Sequence, residues 1–137
     1  MKLRFKQQRH LVSDIAELRF EKPTDFSYTA GQFIKVTLPN QVADERGTER
    51  WFTLSSSPTE DFLQITTRLP EKHSTFKEAL FQLKPADELT VVDMPDGDFI
   101  LPKEPSRKLL WIAGGIGITQ FRSQARWLLD RGESRDI

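Results

Sequence analysis

The stretch RWFTLSSSP at residues 50–58 sets one guanidinium, two large rings and four hydroxyls side by side. An arginine fork pairs with phosphate oxygens, an aromatic face covers a flat ring, and hydroxyls read polar edges. These are the groups that would hold a phosphorylated, flat ligand. A second set lies in HSTFKEAL at 73–80, where Ser74 and Thr75 open a run with helical spacing. A helix start presents unpaired N–H groups and suits an anion without any basic side chain. Thr75 followed three residues later by Glu78 is equally a capping box that satisfies those amides internally. A third set, AGGIGIT at 113–119, is neither a Rossmann fingerprint, because the third glycine would fall at Gln120, nor a P-loop, because no Lys-Ser or Lys-Thr pair follows. His10 and His73 stand far apart with no metal-type spacing, so neither a metal site nor a Ser-His-Asp arrangement is indicated. Asp93, Asp96 and Asp98 surround Gly97 in a turn, a usual place for solvated carboxylates.

The elements that must carry these groups follow from the hydrophobic period. It is mostly two as far as about residue 70, with breakers at short intervals, which predicts a compact antiparallel β domain. Strands are expected near 3–8, 11–21, 32–38, 50–56, 62–68 and 88–94. Gly31 is free to take a positive φ in the turn before the third. Phe76, Leu80 and Leu83 recur at helical spacing, so one short helix interrupts the strands. Beyond MPDGDF the pattern changes. KLLWIA at 108–113 reads as a strand buried on both faces, GGIG as a turn, and the segment from about 119 to 131 as a helix with Phe121, Ala125, Leu128 and Leu129 on one face. That is the opening of a βαβ unit, whose second parallel strand would start at ESRDI.

Composition bounds the chemistry. The chain has 137 residues, 20 basic and 20 acidic side chains and no cysteine. Charge balance gives no reason to expect nucleic acid or an anionic membrane as partner, and no disulfide, thiolate metal site or cysteine-held cluster can form. No run is apolar enough to cross a bilayer or serve as a signal peptide, so a soluble, cytoplasmic protein is expected.

AGQF at 30–33, RWFTLSS at 50–56, HSTFKEAL at 73–80, MPDGDF at 94–99 and WIAGGIGIT at 111–119 resemble, in order and spacing, the ferredoxin–NADP reductase-like family. The resemblance implies a mainly β fold: a six-stranded antiparallel Greek-key barrel with one short helix over residues 1–104, a flavin-binding domain. Residues 105–137 then correspond to the first strand and helix of an α/β NAD(P)-binding domain. It further implies FAD, with FMN second, as cofactor, and NAD(P)H as co-substrate of a full-length protein. Electrons would pass through the flavin to a separate acceptor such as an iron–sulfur or haem protein.

Residue by residue, the resemblance assigns Arg50 to the flavin phosphates, Phe52 to the ring face in place of the family's tyrosine, and Thr53 to the reactive polar edge, with Trp51 between. Ile65, Thr66 and Thr67 would supply contacts from the next strand, and His73, Ser74 and Thr75 would meet the phosphates. Gly114, Gly115, Gly117 and Thr119 would receive the nicotinamide nucleotide, with Gln120 where relatives usually have proline. Two other readings are a flavin-free or flavin-sensing barrel acting as a binding module, and an FMN or free-flavin reductase. The chain by itself is expected to bind flavin but to turn over poorly. It is also expected to form a homodimer through residues 107–131, whose apolar strand and helix stripe would otherwise lie uncovered.

Overall fold

A computed structural model describes residues 1–39 and 42–137. The strands are β1 (Lys2–Val12), β2 (Ile15–Glu21), β3 (Phe33–Thr37), β4 (Glu49–Thr53), β5 (Phe62–Arg68) and β6 (Glu88–Asp96), with helix α1 (Thr75–Phe81) between the last two. Helix α2 (Thr119–Arg131) follows a 3₁₀ turn over Gly115–Ile118. The strands form one six-stranded sheet in the order β4-β3-β6-β1-β2-β5, every pair antiparallel. The two edges meet where Leu54, just past β4, bridges Ile65 of β5 and the Ser55 N–H donates to the Gln64 carbonyl at 2.8 Å. This closes the sheet into the expected barrel.

Alternation explains the closure. Leu3 and Phe5 of β1, Leu18 and Phe20 of β2, Ile34 and Val36 of β3, Leu63 and Ile65 of β5, and Leu89 and Val91 of β6 all point inward and are buried. Phe76 and Leu80 of α1 plug one end of this core, and Leu83 packs against it. Burial of the aromatic and leucine side chains, each contributing about 1.5–3 kcal/mol, dominates the stability of the barrel.

Four expectations need correction. The second strand does not begin at residue 11: Ser13, at a φ of 25°, and Asp14 make a two-residue hairpin turn between Val12 and Ile15. The fourth strand ends at Thr53 rather than 56, because Ser55 and Ser56 leave its ladder to bond β5 and α2. KLLWIA forms no strand. Among the described residues no neighbour runs beside it, and its backbone reaches the following segment through Leu109 N–H to the Asp136 carbonyl at 2.9 Å. Leu110 and Ile112 are accordingly exposed, at 83% and 79%.

The fourth correction concerns α2. Its seated face is Phe121, Ser123, Gln124 and Leu128, while Ala125 is half-buried and Leu129 is exposed. Phe121 lies between Phe99 and Trp111, with ring centroids 5.3 and 5.0 Å away. The helix therefore rests this face on its own barrel.

Candidate functional site

Arg50, Trp51, Phe52 and Thr53 of β4, Thr66 and Thr67 of β5, Ser74 ahead of α1 and Thr119 at the start of α2 line one cleft of about 270 Å³. Four separate segments thus deliver side chains to one place. Beside it a second cleft of about 800 Å³ is lined by Arg68, His73 and Thr75, and shares Arg46, Ser74 and Lys77 with the first.

The antiparallel pleat decides what β4 offers. Phe52 is half-buried, and its ring lies 5.9 Å from that of Phe76 at an interplanar angle of 33°, which leaves it as a wall of the cleft. Trp51 is half-exposed and packs edge-on to Phe33 at 5.1 Å. The Thr53 hydroxyl donates to no protein acceptor among the described residues and lies on the cleft surface. Arg50 is neither solvated nor free. Its Nη2 meets both carboxylate oxygens of Asp44 at 2.7 Å, and its Nη1 donates to the carbonyls of Arg46, Gly47 and Glu49 at 2.8–3.0 Å. Both terminal nitrogens of the fork are occupied by the 44–49 loop.

Ile65 contributes nothing from its side chain, which is in the core. Thr66 shares a hydrogen bond with the Ser55 hydroxyl at 2.8 Å. The helix cap lies one residue earlier than the Thr75–Glu78 box: Ser74 is the cap and accepts from the Lys77 N–H at 3.3 Å. Thr75 instead donates its hydroxyl to the Val42 carbonyl at 3.0 Å. Glu78 turns to His73, whose Nε2 lies 2.5 Å from the carboxylate while Nδ1 lies 2.9 Å from the Pro70 carbonyl. The Glu78 hydrogen bond, aided by that carbonyl, raises the imidazole above its ordinary pKa. In the glycine turn, Ile116 and Thr119 reach the cleft, whereas Gly114, Gly115 and Gly117 face open space.

Sequence reasoning missed the most distinctive cation. Lys77 donates through Nζ to Thr67 Oγ1 and to the Arg68 carbonyl, and lies 5.9 Å from the Phe52 ring centroid. Among the described residues it has no carboxylate partner. Burial, and secondarily the Arg46 charge, push its ammonium down to about 8. The available signal was position: a lysine in the first turn of a helix opposes the helix dipole and so calls for another reason to be there.

The serines of the opening motif have a different duty. Ser55, Ser56 and Ser57 are buried, and they form the seat of α2. Ser123 donates to the Ser56 carbonyl at 2.5 Å, Arg122 donates to the Ser55 carbonyl at 2.9 Å, and the Tyr28 hydroxyl bonds Ser56 as well. Arg122 forms a two-pronged ion pair with Glu60, which also accepts the Ser57 N–H at 2.7 Å. Gln124 donates to the Phe99 carbonyl at 2.8 Å. These bonds fix the helix whose first residues complete the cleft.

No family model matches the chain. It is 35% identical over 120 residues to the glycine betaine monooxygenase reductase subunit of Chromohalobacter salexigens, covering 85% of this chain and 31% of that one. In fold it matches phthalate dioxygenase reductase, described as a modular structure for electron transfer from pyridine nucleotides to [2Fe-2S]. The TM-score is 0.80 at 23% identity, over 98% of this chain and 41% of the other. A ferredoxin NADP+ reductase from Neisseria gonorrhoeae with bound FAD and NADP matches at a TM-score of 0.77 and 18% identity, over 97% and 53%. The chain's fold is that of ferredoxin–NADP reductase-like proteins, and its curated relatives include flavohemoproteins and reductase components. The chain spans about a third of the length of the curated relatives it matches.

The residues present fit a phosphorylated flavin. A flat aromatic wall, an unspent hydroxyl and a half-buried ammonium without a carboxylate partner meet in one cleft that no acid among the described residues lines; of the acids lining the adjoining cleft, Asp44, Glu45 and Glu71, the first is paired with Arg50.

Proposed function

We propose that this chain is the flavin-binding part of an NAD(P)H-dependent oxidoreductase that passes electrons through FAD to a separate acceptor. The observation that carries this reading is the convergence of Phe52, Thr53, Thr66, Thr67, Ser74, Lys77 and Thr119 on one cleft, in a chain of this fold. A flavin held there would supply hydride acceptance from a nicotinamide and one-electron release. The chain's own side chains bind and orient. Phe52 covers a ring face, Thr53 offers its hydroxyl to the ring's polar edge, and the hydroxyls and cations of Thr66, Thr67, Ser74 and Lys77 hold the phosphorylated tail. Ile116 and Thr119 bring the glycine turn to the mouth of the cleft, where the nucleotide would approach Gly114, Gly115 and Gly117.

Residues 1–104 form the flavin part in this reading, and 105–137 begin the nucleotide-binding part. Turnover then belongs to a longer protein, with an iron–sulfur or haem protein as its acceptor in the cytoplasm. Self-association is assigned to residues 107–131, where Leu110, Ile112 and Leu129 are exposed.

Titration of the purified chain with FAD, FMN and riboflavin, followed by flavin fluorescence, tests the proposal. Saturable uptake of FAD is expected. A protein that takes up none of the three returns it to the flavin-free reading, a barrel serving as a binding module. Preference for riboflavin over both nucleotides would favour a free-flavin reductase.

A further inference from the structure

We propose that Lys77 is the phosphate anchor of the cofactor in this chain, the role that the family motif would give to Arg50. This rests on the flavin reading above.

Three observations carry it. First, the fork of Arg50 is engaged by Asp44 and by three loop carbonyls, so that its charge is already balanced and both terminal nitrogens are committed. Second, the Lys77 ammonium is positioned and incompletely used. An ammonium has three protons, and Thr67 Oγ1 and the Arg68 carbonyl take two of them. The same side chain lines both the smaller and the larger cleft, so it stands at their junction.

Third, no carboxylate pairs with it: the larger cleft is lined also by Asp44, Glu45 and Glu71, but Asp44 is held by Arg50 and neither glutamate forms an ion pair with Lys77 among the described residues. Lys2, Lys35, Arg9, Arg68 and Arg122 each lie against a carboxylate, whereas Lys77 has none among the described residues. Its nearest charged influence is the like charge of Arg46, which lines both clefts too. A half-buried cation facing another cation is costly unless an anion joins them. Burial lowers its proton affinity accordingly, the strain a bound phosphate would relieve. Phe52, 5.9 Å from Nζ, ties the anchor to the wall proposed for the flat ring, so phosphate and ring are read by adjoining groups.

Lys77 could instead be only a brace, because its two hydrogen bonds join α1 to the end of β5. A ligand series separates the roles, since FAD and FMN carry phosphate and riboflavin does not. Wild type, Lys77→Gln and Lys77→Met are titrated with the three flavins, with circular dichroism confirming the fold of each variant; Met keeps the apolar stem if Gln disturbs packing. Loss of a charge-assisted contact should weaken FAD and FMN by roughly ten- to a hundredfold and leave riboflavin within about twofold. An equal loss for all three flavins, or a variant that unfolds in both forms, makes Lys77 a brace and overturns the proposal. Unchanged FAD affinity in a folded variant overturns it while leaving the flavin reading intact. If wild type itself takes up no flavin, it is the flavin reading that fails, and the anchor fails with it.

Discussion

Glu60→Gln should detach α2 from the barrel without disturbing the barrel itself. The Glu60 carboxylate receives both terminal nitrogens of Arg122 and the Ser57 N–H, and its side chain is 11% exposed against 34% for Arg122. Stranding a charge in a fully buried pair costs about 3–5 kcal/mol, and breaking an exposed pair costs about 0–1 kcal/mol. With Arg122 about a third open to water, and with Gln still able to accept the Ser57 N–H, the expected loss is about 1–3 kcal/mol. Urea unfolding measures the total, and hydrogen exchange of the 119–131 amides localises it. Those amides should exchange faster while β1, β2 and β5 stay protected. A double-mutant cycle with Arg122→Met should recover most of the cost, because removing both charges strands neither. A change below about 0.5 kcal/mol, or faster exchange spread evenly over the barrel, would refute the seat assigned to Glu60. The same pair sets an acid limit. Burial pushes the Glu60 carboxyl up, but the Arg122 and Ser57 hydrogen bonds and the charges of Arg122 and Arg126 together hold it below its ordinary 4.5. The carboxylate's contribution is therefore complete above about pH 4.5 and is lost as pH falls through the lower folded value, so α2 should loosen first on acidification.

Gly31→Ala should destabilise the fold by about 2–3 kcal/mol in urea unfolding, because a Cβ there would stand 2.1 Å from the Phe99 carbonyl oxygen at a φ of +105°. Arg50→Ala should free the 44–49 loop and speed exchange of its amides, and unchanged rates would remove the brace assigned to that fork. FAD affinity should fall as pH rises above about 8, since Lys77 loses its proton there; a flat profile to pH 9.5 contradicts this. Without ligand the sign reverses: the unfolded chain keeps a lysine proton up to about 10.5 that the folded chain has lost, so stability should rise between about 8 and 10.5. Light scattering at rising concentration should show self-association that Leu110→Ser with Ile112→Ser abolishes, whereas a constant monomer mass for wild type would end that reading.

The barrel was legible because its strands obey a simple rule that local sequence displays. Leu3 and Phe5, or Leu63 and Ile65, alternate with polar neighbours, and one face of each strand meets the same core. The Ser13–Asp14 turn was hidden because neither residue is a glycine or a proline, and only the hairpin register forces the positive φ at Ser13. KLLWIA misled for a related reason. An apolar run specifies what a strand wants to touch but not whether a partner lies beside it, and here the backbone bond to a later segment is that of Leu109 to Asp136. Strands β4 and β5 and the two helix starts bring Arg50, Trp51, Phe52, Thr53, Thr66, Thr67, Ser74 and Thr119 to one cleft, while Ile65, His73, Thr75 and the three glycines lie outside it. Lys77 escaped because its significance is a missing counter-charge, a property of its surroundings and not of its spacing.

The serine run shows how residue type can be read correctly and assigned to the wrong contact. Hydroxyls beside a cation and two rings do mark a place where polar groups must be satisfied, but the hydroxyls of Ser55, Ser56 and Ser57 are spent on Gln64, Thr66, Tyr28 and Thr59, and the Ser55 and Ser56 carbonyls receive a helix 67 residues further along the chain, through Arg122 and Ser123. That choice has a mechanical consequence. Apolar packing tolerates sliding, whereas a seat made of buried hydrogen bonds and a two-pronged ion pair admits essentially one orientation, because any displacement leaves Glu60, Arg122 or a serine carbonyl unpaired. Thr119 lies only three residues from Arg122, less than one helical turn, so the orientation fixed at Glu60 is transmitted to the cleft with little slack. In the proposed reading, ligand contacts are thereby left to the first half of RWFTLSSSP and to the residues facing it, and the second half holds the helix that brings the glycine turn to meet them.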